Sequence, residues 1–479
     1  MTKAAPLAAL LALSLITSAC GGSADQAPGV DPGDRQAGAE QHEQLLAEFG
    51  GAYDGPESDY VAAVGEKIAN AAGLSDQCTF TLVNTDVVNA FAVPGCYIYV
   101  TRGLLGIVNS EAELASVLGH ELGHIVGDHS QRQQRGSILR GIGVVAVSIL
   151  TGSERLTRIA GQAAQYFTLR YSREQEYESD DLGIRYLQAA GYDPYAAGDM
   201  LVALGRNERF ESRQPTQAKS IPEWARTHPL TDNRINRARV RAAASGLADD
   251  QLPENEAAYL TEVDGLLYGD DPEQGFVLGR RFAHPLMRIS FEAPQGYTLT
   301  NSPQAILIEG PSGVRGEFGG GLLPPAGLVD YVERLIGQVL GQTQGAVGPF
   351  DRTRINGVPA VTVPIRVSTS EGEALLWIAA YAAPDGRQAF HFLLAGSGDG
   401  NSASANSLFS SFRFLSDTEA AVLRPRRIAV VAGRNVQSLA TSMAGEPDPA
   451  AAFLMLNGLT AANQVRPEGR YKIVRFAER

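Results

Sequence analysis

Two histidines four residues apart constrain this 479-residue chain more tightly than any other feature. His120 and His124 stand in the pentad His120-Glu121-Leu122-Gly123-His124. A helix places residues i and i+4 on one face, one turn above the other. Two imidazoles on one helical face can share one divalent ion, the HExxH arrangement of a zinc site, with Glu121 beside them in reach of a water activated there. The flanking residues agree with a helix. Ser110-Glu111-Ala112-Glu113 reads as a capping box, with Ser110 as N-cap and Glu113 as its reciprocal partner. Leu114, Val117, Leu118, Leu122 and Ile125 recur at three- and four-residue steps and give the helix an apolar face. Two histidines buried by chance in an ordinary helix are the alternative, and the capped helical frame weighs against it.

The chain is too long for one core and predicts about three domains. The fold class expected is α+β and multi-domain. A mainly helical zinc domain with a small sheet spans 40–250, an α+β domain 270–416, and a small βααβ module 424–479. Acidic residues outnumber basic ones, 53 to 40, and no basic run carries interleaved aromatics, so nucleic acid is excluded as a partner. Residues 1–20 read as a targeting segment: Lys3 is followed by Ala4 to Ile16, apolar except for Ser14 and too short to span a bilayer. Thr17-Ser18-Ala19-Cys20 resembles a bacterial lipobox, with Thr17 where Leu is usual, and would make Cys20 a lipidated N-terminus. Plain secretion with cleavage near Ala19 is the alternative. Residues 21–39 are then a Gly/Pro/Asp-rich linker. The expected location is the periplasmic face of the outer membrane, touched by a lipid anchor only, or the soluble periplasm. In an exported chain Cys78 and Cys96 could form a disulfide or remain two buried thiols.

Taken in order, about 40–73 looks helical with breaks at Gly50-Gly51 and near Pro56. Thr79 to Val83 and Tyr97 to Val100 alternate as strands. The stretch Asn89-Ala90-Phe91-Ala92-Val93-Pro94-Gly95 could serve as an edge for an extended peptide or as an ordinary hairpin. Past the pentad, a metzincin would need its third histidine at 130. Ser130 stands there and His129 is one residue early, so His129 is assigned a supporting role. Ile138 to Leu150 is apolar, too short to span a bilayer, and expected to be buried packing, with a flap, a dimer contact or membrane-surface packing as the alternatives. A second helix is predicted from about Gln165 to Ala190, stopped by Gly191-Tyr192-Asp193-Pro194. Its acids would ordinarily be a solvated face. Glu176, Asp180 and Gly183, however, share one stripe: a carboxylate for the ion, an acid to hold a ligand imidazole, and a small residue for close approach.

The pentad together with Ser172-Arg173-Glu174-Gln175-Glu176-Tyr177-Glu178-Ser179-Asp180 resembles the gluzincin family of the CAAX prenyl proteases and HtpX, peptidase family M48, in its soluble periplasmic branch. The resemblance implies one Zn²⁺ held by His120, His124 and Glu176, with Glu121 catalytic and Asp180 behind the ligands. Ser179 stands where the family usually has Ala. Asn89, Ala90 and Phe91 resemble the substrate-side strand, and His228-Pro229-Leu230 with Arg234 resembles the family's HP…R segment, which implies that His228 assists catalysis or gates the ion. The likeness covers roughly residues 40 to 245.

From about Asp270 the texture becomes α+β. Strands are expected near 287–291, 305–309, 361–367, 374–381 and 389–394, with a helix over 328–340. His284 and His391 are assigned structural roles. This part resembles Mog-one/PsbP-like sandwiches, an analogy of fold alone. The tail from Arg427 to Phe476 reads strand, helix, helix, strand and resembles a LysM module, which implies glycan or peptidoglycan contact; a packing module is the alternative. The expected function is an exported zinc endopeptidase acting on misfolded or misassembled polypeptides, outer-membrane proteins among them. The competing reading is an envelope chaperone or peptidoglycan-binding protein whose zinc site is idle.

Overall fold

The computed structural model describes residues 29–132, 170–213, 224, 227–230, 232–341, 343–369, 372–396, 402–433 and 436–478. The leader with Cys20, residues 21–28 of the expected linker, and the Ile138–Leu150 segment lie outside these residues.

Helix α1 (Pro32–Glu48) begins well before the expected end of the linker at 39. Asp31 caps it by accepting from the Gly33 and Asp34 amides, and Pro32 supplies a preset first turn. Helix α2 (Pro56–Ala71) likewise starts on a proline. Strands β1 (Thr79–Val83), β2 (Ala90–Val93) and β3 (Tyr97–Thr101) form a small sheet in the order β1-β3-β2, so β2 is an edge strand. A Cys78–Cys96 disulfide ties the start of β1 to the turn entering β3. Phe91, Val93 and Tyr99 of this sheet pack with Leu45 of α1 in one apolar cluster.

Short α3 (Arg102–Ile107) leads into α4 (Glu111–Val126), the helix of the histidine pentad. Ser110 accepts from the Glu113 amide, but Glu113 Oε2 accepts from the Asn109 amide at 2.7 Å instead of from Ser110. The capping box is therefore displaced by one residue. The facing helix α5 (Arg173–Ala189) starts later than the Gln165 expected from the pattern, because Ser172 and Gln175 close a complete capping box there.

Helices α4 and α5 cross on small residues. A Cβ on Gly119 would come within 3.3 Å of the Gly183 backbone, and one on Gly123 within 2.9 Å of the Ser179 backbone. Such a crossing lets two backbones approach and brings the side chains that flank the contact together. Helices α6 (Ala196–Glu211), α7 (Asp232–Ala243) and α8 (Glu256–Glu262) complete the helical part.

Between Thr298 and Gly396 eight strands build one antiparallel sheet. The helix Leu328–Leu340 lays Val332, Ile336 and Val339 on one face, and an aromatic cluster around Phe318, Phe392 and Phe412 fills the other. His284 and His391 sit in this part and hold local bonds, His284 Nδ1 accepting from the Met287 amide and His391 Nδ1 lying 2.8 Å from the Tyr331 hydroxyl.

The tail shows the strand, helix, helix, strand order, from Arg426–Ala432 to Arg470–Phe476. It does not stand apart from the helical part. Its first strand pairs with β4 (Leu267–Tyr268), and Ile428, Phe453, Leu456 and Ile473 share one core with α2, α4 and α6. Lys472, fully buried, donates from Nζ to the carbonyls of Gly106 and Val108 at 2.9 and 2.6 Å. No helix of the described residues is long and apolar enough to cross a membrane.

Candidate active site

The close crossing of α4 and α5 sets His120 and His124 against Glu176. Ligand atoms of His120, His124, Glu176 and His228 all lie within 4.8 Å of one another, and all four residues are buried. The Nε2 atoms of His120 and His124 are 3.0 Å apart. Oxygens of Glu176 stand 3.6 Å from each of those nitrogens. Two nitrogens on one tetrahedral zinc, with bonds of about 2.0–2.1 Å, would stand roughly 3.3 Å apart. The donor spacing thus fits one small ion.

A second observation supports the fit. Both carboxylate oxygens of Glu121 are buried, and neither accepts a hydrogen bond among the described residues. A buried carboxylate left without donors is costly. Burial pushes the Glu121 carboxyl above the usual range, although His228 and His120 pull the other way. This orphan sits one residue from the histidine cluster with its acceptor capacity unspent.

Around this group lies a shell of supporting contacts. Asp180, one turn after Glu176, brings Oδ1 to 3.0 Å from His120 Nδ1. His129 brings Nδ1 to 2.9 Å from His124 Nδ1, and its Nε2 meets Glu178 at 3.1 Å. Each pentad histidine therefore has its outward nitrogen held, which fixes ring orientation and leaves the inward nitrogen for an ion. Tyr171 stacks on His124 at 3.8 Å, and Trp224 stacks on His228 at 4.3 Å.

His228 comes from the segment before α7. Its Nδ1 is 2.9 Å from Glu176 Oε1, and its Nε2 is 3.6 Å from Glu121 Oε1. Burial alone would lower its pKa, but the Glu176 and Glu121 charges outweigh that and leave it raised. For Glu176 burial acts upward, and the Arg234 and His228 charges reverse it, leaving the carboxylate lowered. His124 is driven well down by burial and by the three neighbouring histidines, which favours the neutral imidazole that a metal needs.

Arg234 has a larger role than its motif suggested. Fully buried on α7, it reaches Glu176 Oε2 at 2.5 Å and grips Asp180 through Nε and Nη2. It also explains the low Asp180 pKa: burial would raise it, and the guanidinium charge more than offsets that. The signal available in the sequence was Arg234 in the His228-Pro229 segment, without any indication of its partners.

Of the other expected site residues, Asn89, Ala90 and Phe91 lie at the start of the edge strand β2, all buried. Cys20 lies outside the described residues. His129 is close to His124 yet does not join the four-residue cluster.

Residues 56–242 match Peptidase family M48. Over 200 residues the chain is 34% identical to the beta-barrel assembly-enhancing protease of Yersinia pestis, 40% of each chain being covered. The Escherichia coli (strain K12) protein of that name is 31% identical over 198 residues, 39% of each chain. The mitochondrial metalloendopeptidase OMA1 of Arabidopsis thaliana is 33% identical over 188 residues, 39% of this chain and 36% of the relative. The chain thus spans about two fifths of these relatives' length. Among solved structures, cyanobacterial PsbP from Synechocystis sp. PCC 6803 is matched over 30% of this chain and 98% of its own, with 14% identity and a TM-score of 0.24. The segment that matches Peptidase family M48, residues 56–242, holds both crossing helices and all four clustered side chains.

Proposed function

We propose that this chain is a zinc-dependent endopeptidase of the bacterial cell envelope that cuts misfolded or misassembled polypeptides, outer-membrane proteins among them. The observation that carries the reading is the buried Glu121 carboxylate, which accepts no hydrogen bond among the described residues, beside a His120–His124–Glu176 cluster whose spacing fits one ion. The relatives named as beta-barrel assembly-enhancing proteases suggest the substrate class. A leader over residues 1–20 would deliver the chain, and Cys20 would anchor it to the outer membrane. The tail would add contact with peptidoglycan.

In this reading His120, His124 and Glu176 hold one zinc per chain. When bound, the zinc supplies Lewis acidity toward the scissile carbonyl and makes a water nucleophilic near neutral pH. Glu121 takes the proton from the attacking water and passes it to the leaving amine. Its raised pKa suits that exchange, because a base works best when its pKa lies near the operating pH. His228, biased toward its cationic form by Glu176 and Glu121, is placed to donate to the developing oxyanion. Asp180 holds the His120 ring, and Arg234 pairs with Glu176 Oε2 and so helps hold that carboxylate against the two histidines. The edge strand β2, through Asn89, Ala90 and Phe91, would align an extended peptide by backbone pairing.

Casein digestion by the full chain, with and without chelator, tests this directly. Glu121→Gln should retain zinc and fold and lose about 10³-fold or more in rate, since the proton carrier is gone. Undiminished proteolysis by Glu121→Gln overturns the proposal.

A further inference from the structure

We propose that Asp193, Asp249 and Asp250 form a calcium site that ties the turn after α5 to the loop after α7. One carboxylate oxygen from each residue lies within 4.8 Å of the others. Asp193 is fully buried. Its Oδ1 accepts from the Tyr195 amide at 2.8 Å, while its Oδ2 is buried and accepts no hydrogen bond among the described residues. Asp249 and Asp250 are exposed.

Three carboxylates at this spacing repel, and a buried oxygen without a donor adds a desolvation cost. Among the described residues no Lys or Arg is ion-paired with any of the three. Arg239, on the neighbouring face, is taken by Asp199 at 3.3 Å. Glu254 close by is pushed up to about 7, by burial first and then by the charges of Asp199, Glu113, Asp193 and Asp250. The neighbourhood is thus clustered negative charge, with no Lys or Arg ion-paired to the three carboxylates among the described residues.

Two hydrogen bonds tie the two segments of this site together. The Tyr195 hydroxyl donates to the Leu247 carbonyl at 3.4 Å, and the Asp193 amide donates to the Pro253 carbonyl at 3.4 Å. Asp250 takes a left-handed conformation, φ 62°, within the loop. The ligand chemistry selects the ion. All three donors are carboxylate oxygens, with no histidine or cysteine in the group, so a hard cation is favoured over zinc. Calcium accepts six to eight oxygens in loose geometry, and the exposed side of Asp249 and Asp250 leaves room for water to complete its shell. Asp249 and Asp250 lie beyond the segment that matches the peptidase family. The site does not depend on the peptidase reading. Its consequence would be mechanical: α5, which carries Glu176 and Asp180, ends at this turn, and an ion there would clamp that end to the loop at 246–253.

The test is titration of the full chain with CaCl₂ by calorimetry, and with Tb³⁺ by luminescence sensitised through Tyr192 and Tyr195. The expected result is one saturable site with a Kd on the order of 0.1–1 mM, the range of extracellular calcium modules. The double variant Asp249→Asn, Asp250→Asn should weaken it about tenfold or more while its zinc content stays at the parent level. Both substitutions are on exposed residues, so the variant should fold. Absence of saturable Ca²⁺ binding up to about 10 mM, or identical binding by the double variant, overturns the proposal.

Discussion

Arg234 grips Asp180 with two hydrogen bonds, Nε to Oδ2 at 2.7 Å and Nη2 to Oδ1 at 2.8 Å, while both side chains are buried. Its remaining nitrogen pairs with Glu176. One guanidinium is therefore shared by two carboxylates at the base of the site, and a planar fork is what such a double grip needs.

Removing that cation should be severe. Arg234→Gln leaves Asp180 and Glu176 buried with only His120 and His228 beside them, a loss of about 3–5 kcal/mol of the kind seen when one partner of a buried pair is deleted. Arg234→Lys keeps the charge and loses the fork, so an intermediate loss is expected. Urea unfolding of the chelated protein measures both without involving the metal. A loss under about 1 kcal/mol for Arg234→Gln, the size of a surface pair, would contradict the assignment.

The crossing of α4 and α5 makes a second prediction. In an open helix Gly→Ala gains up to about 1 kcal/mol. At Gly123 the new Cβ would meet the Ser179 Cα and carbonyl oxygen at 2.9 Å, and backbone atoms cannot rotate away. Overpacking of about 1–3 kcal/mol should outweigh the propensity gain. The helices would move apart and pull Glu176 from the two histidines. Zinc affinity of Gly123→Ala, measured by competition with a chromophoric chelator, should fall by about tenfold or more. Gly119→Ala, whose Cβ would come no closer than 3.3 Å to backbone, should be milder.

This crossing shows where sequence reasoning reaches and where it stops. His120, Glu121 and His124 were legible because their relation is local, fixed by one helical turn. Glu176, Asp180 and Gly183 followed from the same rule on a second helix, and Gly183 was read as a contact residue. Its counterparts Gly119 and Gly123 carried no such signal, since what a glycine touches depends on a chain segment some sixty residues away. Arg234 was legible only through its resemblance to the HP…R segment, and its role stayed hidden because its carboxylate partners lie on another helix. The Ser110 cap was visible, but the shift of Glu113 to the Asn109 amide depends on loop geometry that a pattern does not carry. The tail's element order could be read, whereas its merger with the helical core could not. Its apolar residues satisfy a module packed on itself or on a neighbour equally well.

The Cys78–Cys96 bond encloses a short stretch, with a sequence separation of 18. Chain-entropy arguments give about 3 kcal/mol for a loop of that size. The bond ties β1 to the turn that feeds β3, next to the edge strand expected to receive peptide. Cys78→Ala with Cys96→Ala should lower unfolding stability by about that amount. Reductant should lower the stability of the parent to the same level and leave the double variant unchanged. Equal stability of parent and double variant in oxidising buffer would show that the bond does not form.

Lys472 and Glu113 should make stability depend on pH around neutrality. Lys472 comes from the tail strand and is buried against the end of α3; Glu113 is buried in the first turn of α4. Burial depresses the Lys472 amine to about 7, with the Glu113 charge acting against it. Burial raises the Glu113 carboxyl to about 7, with the Asn109 amide and the Lys472 charge acting against it. The two signs differ. Glu113 has a folded pKa above its unfolded value of 4.5, so its contribution is complete below pH 4.5 and is lost as pH rises toward 7. Lys472 has a folded pKa below its unfolded value of 10.5, so its contribution is complete above 10.5 and is lost as pH falls toward 7. Together they produce a trough near pH 7, with flanks no steeper than about 1.4 kcal/mol per pH unit for each group. The variant Glu113→Gln, Lys472→Met removes both titrations. Subtracting its urea-unfolding free energies from those of the parent at pH 5, 7 and 9 should isolate the trough, lowest at pH 7. A difference that is flat, or that peaks at pH 7, would mean that the tail is not docked on α3 and α4 through this lysine.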